Sequence, residues 1–291
     1  MEWSRPMCDS NKSPLLADPE NSQDTTLLEL NYQLFEDNQE SSTVMTPMNN
    51  EGTRAKEAGN KYFKEQKFEE AIVCYSRSIV ELPTAAAYGN RAMAYIQLNK
   101  FIEAENDCTE ALKIDGHFFK AYARRAMART KLGCDLEGAL ADIQAAMRLD
   151  SNNREMEELY AEIVSMKGAT EAKEEGNAFF KDRKFKDAIV SYSASIRKFP
   201  TAVAYNNRAV AYLKLNKWKE AENDCSKALK IDDQYFKAYA RRAIARSKLG
   251  CNLGGALGDV EVALKLEPDN QEMKELQGKL IQMLRQEGEF L

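Results

Sequence analysis

Two stretches of this chain, "FKAYARRAMARTKLGC" from Phe119 and "FKAYARRAIARSKLGC" from Phe236, repeat one Lys-x-x-x-Arg spacing with only two residues changed. Residues four apart share a face of a helix, so Lys120 with Arg124, and Lys237 with Arg241, each offer two cations to one space. Arg grips a carboxylate through two parallel hydrogen bonds, while Lys adds a compact charge. The chemistry this suggests is capture of an anion whose carboxylates lie close together. The formal net charge is −5, so any basic site must be local. A general nucleic-acid binder, which shows a basic excess over a whole face, is disfavoured.

The elements that must position these cations come in two copies. From Thr53 onward, each residue aligns without a gap with the one 117 positions later, and well over half of the aligned residues are identical. Such self-similarity marks an internal duplication. Within the first copy a shorter period near 34 appears. Gly59, Tyr62, Ala71, Tyr75 and Pro83 fall at the signature positions of a tetratricopeptide repeat; a second repeat follows through Ala92, Tyr95, Ala104, Cys108 and Ala111, and a third through Ala126 and Ala139. Small residues let antiparallel helices approach closely. Met156, Leu159, Ile163 and Met166 then recur at helical spacing, as do Met273, Leu276, Leu280 and Met283 in the second copy. These read as helices that cap the apolar ends of the stacks. The expected fold is all-α: two tandem three-repeat superhelical modules, over 53–168 and 169–291, each closed by a capping helix. Thr53 and Thr170 are expected helix N-caps.

In stacked repeats of this kind, the first helix of each pair lines a concave groove. That places Lys56 and Asn60 on the first inner helix, Asn90 on the second, and Lys120 with Arg124 on the third, in equal steps from Asn60 to Asn90 to Lys120. Three cations and two amides in a row suit a peptide terminus ending in Asp, whose α-carboxylate and side-chain carboxylate lie a few bonds apart. The contexts "KEAGN", "YGNRA" and "KAYARRA" resemble the dicarboxylate clamp of tetratricopeptide-repeat co-chaperones that bind the "EEVD" tails of the 70- and 90-kDa heat-shock chaperones. The second module repeats the match in "KEEGN", "YNNRA" and "KAYARRA", through Lys173, Asn177, Asn207, Lys237 and Arg241. "LPTAAAYGNRAMAY" and "FPTAVAYNNRAVAYLKLNKW" are further similar to the sperm-associated antigen 1 and RNA polymerase II-associated protein 3 families. The resemblance implies a cytoplasmic co-chaperone adaptor whose partners are those chaperone tails and assembly clients, at work in assembling large complexes such as axonemal dyneins. Because the modules are nearly contiguous and nothing follows the second cap, a compact two-clamp adaptor is the expectation. The alternative is a scaffold that holds clients by its convex faces or tail.

The grooves are not expected to be equivalent. Met93 and Met127 of the first module become Val210 and Ile244 in the second, and Gly89 becomes Asn206. Adaptable methionine predicts a more permissive first groove. Other chemistry is sparse. Six cysteines include no Cys-x-x-Cys pair, and His117, the only histidine, reads as a turn residue. No metal site, cofactor or catalytic constellation is expected, so neither is an enzyme. The duplicated cysteines, Cys108 with Cys225 and Cys134 with Cys251, read as small core residues. Residues 1–52 read as a disordered acidic tail, in which Leu27, Leu30, Leu34 and Phe35 could form a short amphipathic anchor although an unstructured segment is the simpler reading. With no signal peptide or apolar span in the sequence, neither membrane nor nucleic-acid partners are expected.

Overall fold

The computed structural model describes residues 51–151 and 153–288; the tail anchors Leu27, Leu30, Leu34 and Phe35 lie outside them. Among the described residues every regular element is helical: α1 (Glu51–Lys64), α2 (Phe68–Glu81), α3 (Ala85–Gln97), α4 (Phe101–Ile114), α5 (Phe119–Leu132), α6 (Leu136–Leu149), α7 (Arg154–Lys181), α8 (Phe185–Lys198), α9 (Ala202–Lys214), α10 (Trp218–Ile231), α11 (Phe236–Leu249), α12 (Leu253–Leu266) and α13 (Gln271–Glu287). The chain divides into two compact units, and the division falls inside α7, between Val164 and Ser165. No described helix is long and apolar enough to cross a membrane.

Within each unit, sequence-adjacent helices pack as antiparallel hairpins, because the turns between them are very short. Gln66, Asn99, Arg183 and Asn216 take left-handed backbone in these turns, and Gly133 and Gly250 end α5 and α11 the same way. Alanine permits the close crossing. Ala71, Ala92, Ala104, Ala111, Ala126 and Ala139 of the first unit are all fully buried. At Gly59 the approach is closer still, since a Cβ there would lie 2.6 Å from the Tyr75 ring, and Gly176 meets Tyr192 at the same distance.

The ends of the stacks are closed by amphipathic helices. Met156, Leu159 and Ile163, in the first part of α7, join the core of the first unit, while Met273, Leu280 and Leu284 of α13 close that of the second. Bidentate ion pairs tie inner to outer helices: Arg91 with Asp107, Arg125 with Asp142, Arg208 with Asp224 and Arg242 with Asp259, all at 2.6–2.9 Å.

Several expectations need correction. Thr53 lies inside α1, so Glu51 and Gly52 belong to the first helix and not to the tail. Thr170 is in the middle of α7, because "SMKGATEAKEEG" consists of helix-compatible residues with no proline, and its two isolated glycines do not break the helix. Among the described residues, side chains that do cap helices include Thr84, Asp135, Asn153, Thr201, Asn252 and Asn270. Cys108 and Cys225 are fully buried, but Cys134 and Cys251 are exposed, because the left-handed glycine before each ends the helix and leaves the thiol in the turn. His117 is in a turn, where its backbone N–H donates to Asp115 Oδ1 at 2.9 Å. Met93 and Met127 are packed in the core of the first unit, at 0% and 2% exposure, and are not an open floor.

Candidate peptide-binding grooves

The inner helices α1, α3 and α5 lie side by side in the first unit, and three of the five expected clamp residues form one hydrogen-bonded row across them. It begins with a buried phenol. Tyr75 OH on α2 donates to Asn60 Oδ1 at 2.9 Å, and Asn90 Nδ2 on α3 donates to the same oxygen at 3.0 Å. Arg124 Nη1 on α5 then donates to Asn90 Oδ1 at 3.5 Å. Because two donors hold the Asn60 carbonyl inward, its amide NH2 is the end left to act on a ligand. Lys120, one helical turn before Arg124, is buried at 4% exposure, and Lys56, one turn before Asn60, is partly exposed.

Arg124 is fully buried, and burial lowers its pKa to about 10 against smaller raising effects from Cys108 and Tyr75. Cys108 shares that interior, where burial pushes its thiol up to about 12 and so keeps it an unreactive core residue at neutral pH. Tyr75 is likewise raised by burial. A guanidinium in such surroundings has lost hydration that a carboxylate would replace.

The second unit repeats the start of the row. Tyr192 OH donates to Asn177 Oδ1 at 2.8 Å, and Asn207 Nδ2 donates there at 3.2 Å. The end differs, because Arg241 Nη1 donates to the backbone carbonyl of Asn206 at 3.5 Å and makes no bond to Asn207. Arg241 is only partly buried, and burial again lowers its pKa. Lys237 is exposed and Lys173 partly exposed.

Arg125 and Arg242 each follow a clamp arginine by one residue and so lie off the clamp face. They are partly buried, and each also donates to a neighbouring hydroxyl, Thr109 and Ser226 respectively. Asp142 and Asp259, at 4% exposure, each hold a second guanidinium, from Arg129 and Arg246. The signal for this role is an Asp 17 positions after each Arg, on the outer helix that follows. Among the described residues no cluster of His, Cys, Asp and Glu could hold a metal ion.

Stacked helical hairpins with a concave inner face and paired caps define a superhelical repeat protein. The tetratricopeptide-repeat family model matches residues 85–118 and 202–235. The TPR domain of P58(IPK), a solved structure, superposes with a TM-score of 0.59 at 20% identity, over 81% of this chain and 66% of that one. The RNA polymerase II-associated protein 3 of Xenopus laevis is 40% identical over 192 residues, 53% of this chain and 29% of its own length. The Hsp70-Hsp90 organizing protein of Triticum aestivum is 30% identical over 243 residues, 76% of this chain and 42% of its own. The chain thus spans less than half the length of these curated relatives. It contains tetratricopeptide repeats and resembles RNA polymerase II-associated protein 3 and the Hsp70-Hsp90 organizing proteins.

Proposed function

We propose that the chain is a non-enzymatic co-chaperone adaptor that binds the acidic C-terminal tails of 70- and 90-kDa heat-shock chaperones. In each unit the ligand's two terminal carboxylates are held by a dicarboxylate clamp. Lys56, Asn60, Asn90, Lys120 and Arg124 form the first clamp, and Lys173, Asn177, Asn207, Lys237 and Arg241 the second. The carrying observation is the Tyr75–Asn60–Asn90–Arg124 row, whose first members recur as Tyr192, Asn177 and Asn207. The row fixes two amides beside a cation on the inner helices, in the arrangement that gripping paired carboxylates requires. The name of the Hsp70-Hsp90 organizing relative supports the choice of partners. The resemblance to sperm-associated antigen 1 supports a cytoplasmic role in assembling large complexes such as axonemal dyneins.

A second reading makes the chain a scaffold that holds clients by its outer helices. Its support is the pair Val73 and Val190, equivalent positions on α2 and α8 that are 69% and 65% exposed. Titration with a peptide ending in Glu-Glu-Val-Asp, and with the same peptide amidated at its C-terminus, separates the two. A clamp loses most of its affinity when the terminal carboxylate is amidated, whereas equal affinity for both peptides would leave the scaffold.

A further inference from the structure

The second groove contains a polar group that the clamp does not use. Asn206 on α9 is 1% exposed; its Nδ2 donates to Tyr235 OH at 3.0 Å, and its Oδ1 is buried with no hydrogen-bond partner. A buried acceptor left unmade costs folding free energy, so its persistence calls for a role. Its place in the groove indicates which one. Asn206 precedes the clamp residue Asn207, and its own backbone carbonyl accepts the bond from Arg241.

The first unit has nothing equivalent. There the position is Gly89, and a Cβ would lie 2.6 Å from the Phe118 ring and 3.1 Å from Arg124 Nη1. The ring edge fills the space. In the second unit Phe118 is replaced by Tyr235, whose hydroxyl meets the amide that glycine lacks. The two changes belong together, because an amide here needs a polar partner and the phenylalanine ring offers none.

We propose that Asn206 is a sixth recognition residue of the second groove, anchored by Tyr235 and donating its amide N–H to an oxygen of a bound acidic peptide terminus. The Tyr235 hydroxyl can accept from Nδ2 or donate to Oδ1. A half-turn of the amide therefore keeps the tyrosine bond and brings Nδ2 to where the orphaned oxygen now lies. Beside Arg241, a donor at that point faces the ligand carboxylates. The orphan is thus the unliganded state of a binding group, and its cost is relieved when peptide arrives. This inference rests on the reading of the grooves as peptide clamps.

The test uses the intact chain carrying Lys120→Ala and Arg124→Ala, so that the second groove alone reports, titrated with a peptide ending in Glu-Glu-Val-Asp. Adding Asn206→Ala should weaken binding about five- to tenfold, as expected for one hydrogen bond to a charged group, while the melting temperature is unchanged or rises because an unsatisfied acceptor is gone. Asn206→Asp keeps the shape but lacks the donor, and should weaken binding further. Unchanged affinity in Asn206→Ala, or in Asn206→Asp, overturns the proposal alone, as does a fall in melting temperature without loss of binding. Loss of all binding in the Lys120→Ala, Arg124→Ala chain shows a second groove that takes no peptide and overturns it too. Absence of binding by the unsubstituted chain overturns the clamp reading as well.

Discussion

Arg124 donates to the Asn90 amide oxygen at 3.5 Å and lies near the buried Cys108 and Tyr75. Its folded pKa, about 10, is below that of an ordinary guanidinium because burial disfavours the charge, so the unfolded chain binds this proton more tightly than the native one. The group therefore costs stability at neutral pH, and its contribution becomes more favourable as pH rises from about 10 toward the unfolded value. Arg124→Met, which keeps bulk without charge, should fold with equal or greater stability, by up to about 3 kcal/mol, yet fail to bind tail peptide. Chemical denaturation and titration of one preparation check both parts. Lys120→Ala and Arg124→Ala should each nearly abolish binding at the first groove with helicity intact, since truncating one member of a bonded charge pair costs about 2–5 kcal/mol of the roughly 8 available to a micromolar peptide. A loss below twofold in both would remove these residues from the site.

At the scale of helices, the groove depends on how closely α1 approaches α2. Gly59→Ala would drive a methyl into the Tyr75 ring, costing about 1–3 kcal/mol and displacing the hydroxyl that orients Asn60. Thermal unfolding together with titration should show lower stability and weaker peptide binding in the same variant. Asp142→Ala tests the ion-pair ties differently. It strands Arg125 in a partly buried site, while Arg129 keeps Glu105, and should destabilise the first unit by about 3–5 kcal/mol, seen as a lower denaturation midpoint with the second unit's transition unmoved. These elements were unequally legible in the sequence. Periodicity and the 117-residue repeat revealed the helices, the caps of the stacks and the inner-helix row, because a packed helix must bury a stripe at 3.6-residue spacing. The ends of the helices were harder to read. Thr170 has the chemistry of a cap, but whether α7 continues through it depends on tertiary packing at both its ends. The outer-helix partners Asp107, Asp142, Asp224 and Asp259 were missed because an acid 16 or 17 residues from its arginine gives no local signal.

For the whole chain, net charge misleads about binding. The molecule carries −5 overall, yet each groove presents cations, and screening acts on those local charges. Tail affinity at both grooves should fall as ionic strength rises, and affinity unchanged from low to high salt would contradict an ionic clamp. The duplication was plain in the sequence, whereas the difference between the grooves was only partly so. Substitution of Gly89 by Asn206 was visible, but that the new amide bonds Tyr235 through Nδ2 and leaves its Oδ1 without a partner, on the residue whose carbonyl accepts from Arg241, required the packing of the groove. Calorimetric titration of the intact chain with a peptide ending in Glu-Glu-Val-Asp tests the central claim most directly. Two equivalents should bind per chain, with one remaining after Arg124→Ala or after Arg241→Ala and none when both are changed; undiminished binding by the doubly substituted chain would contradict it.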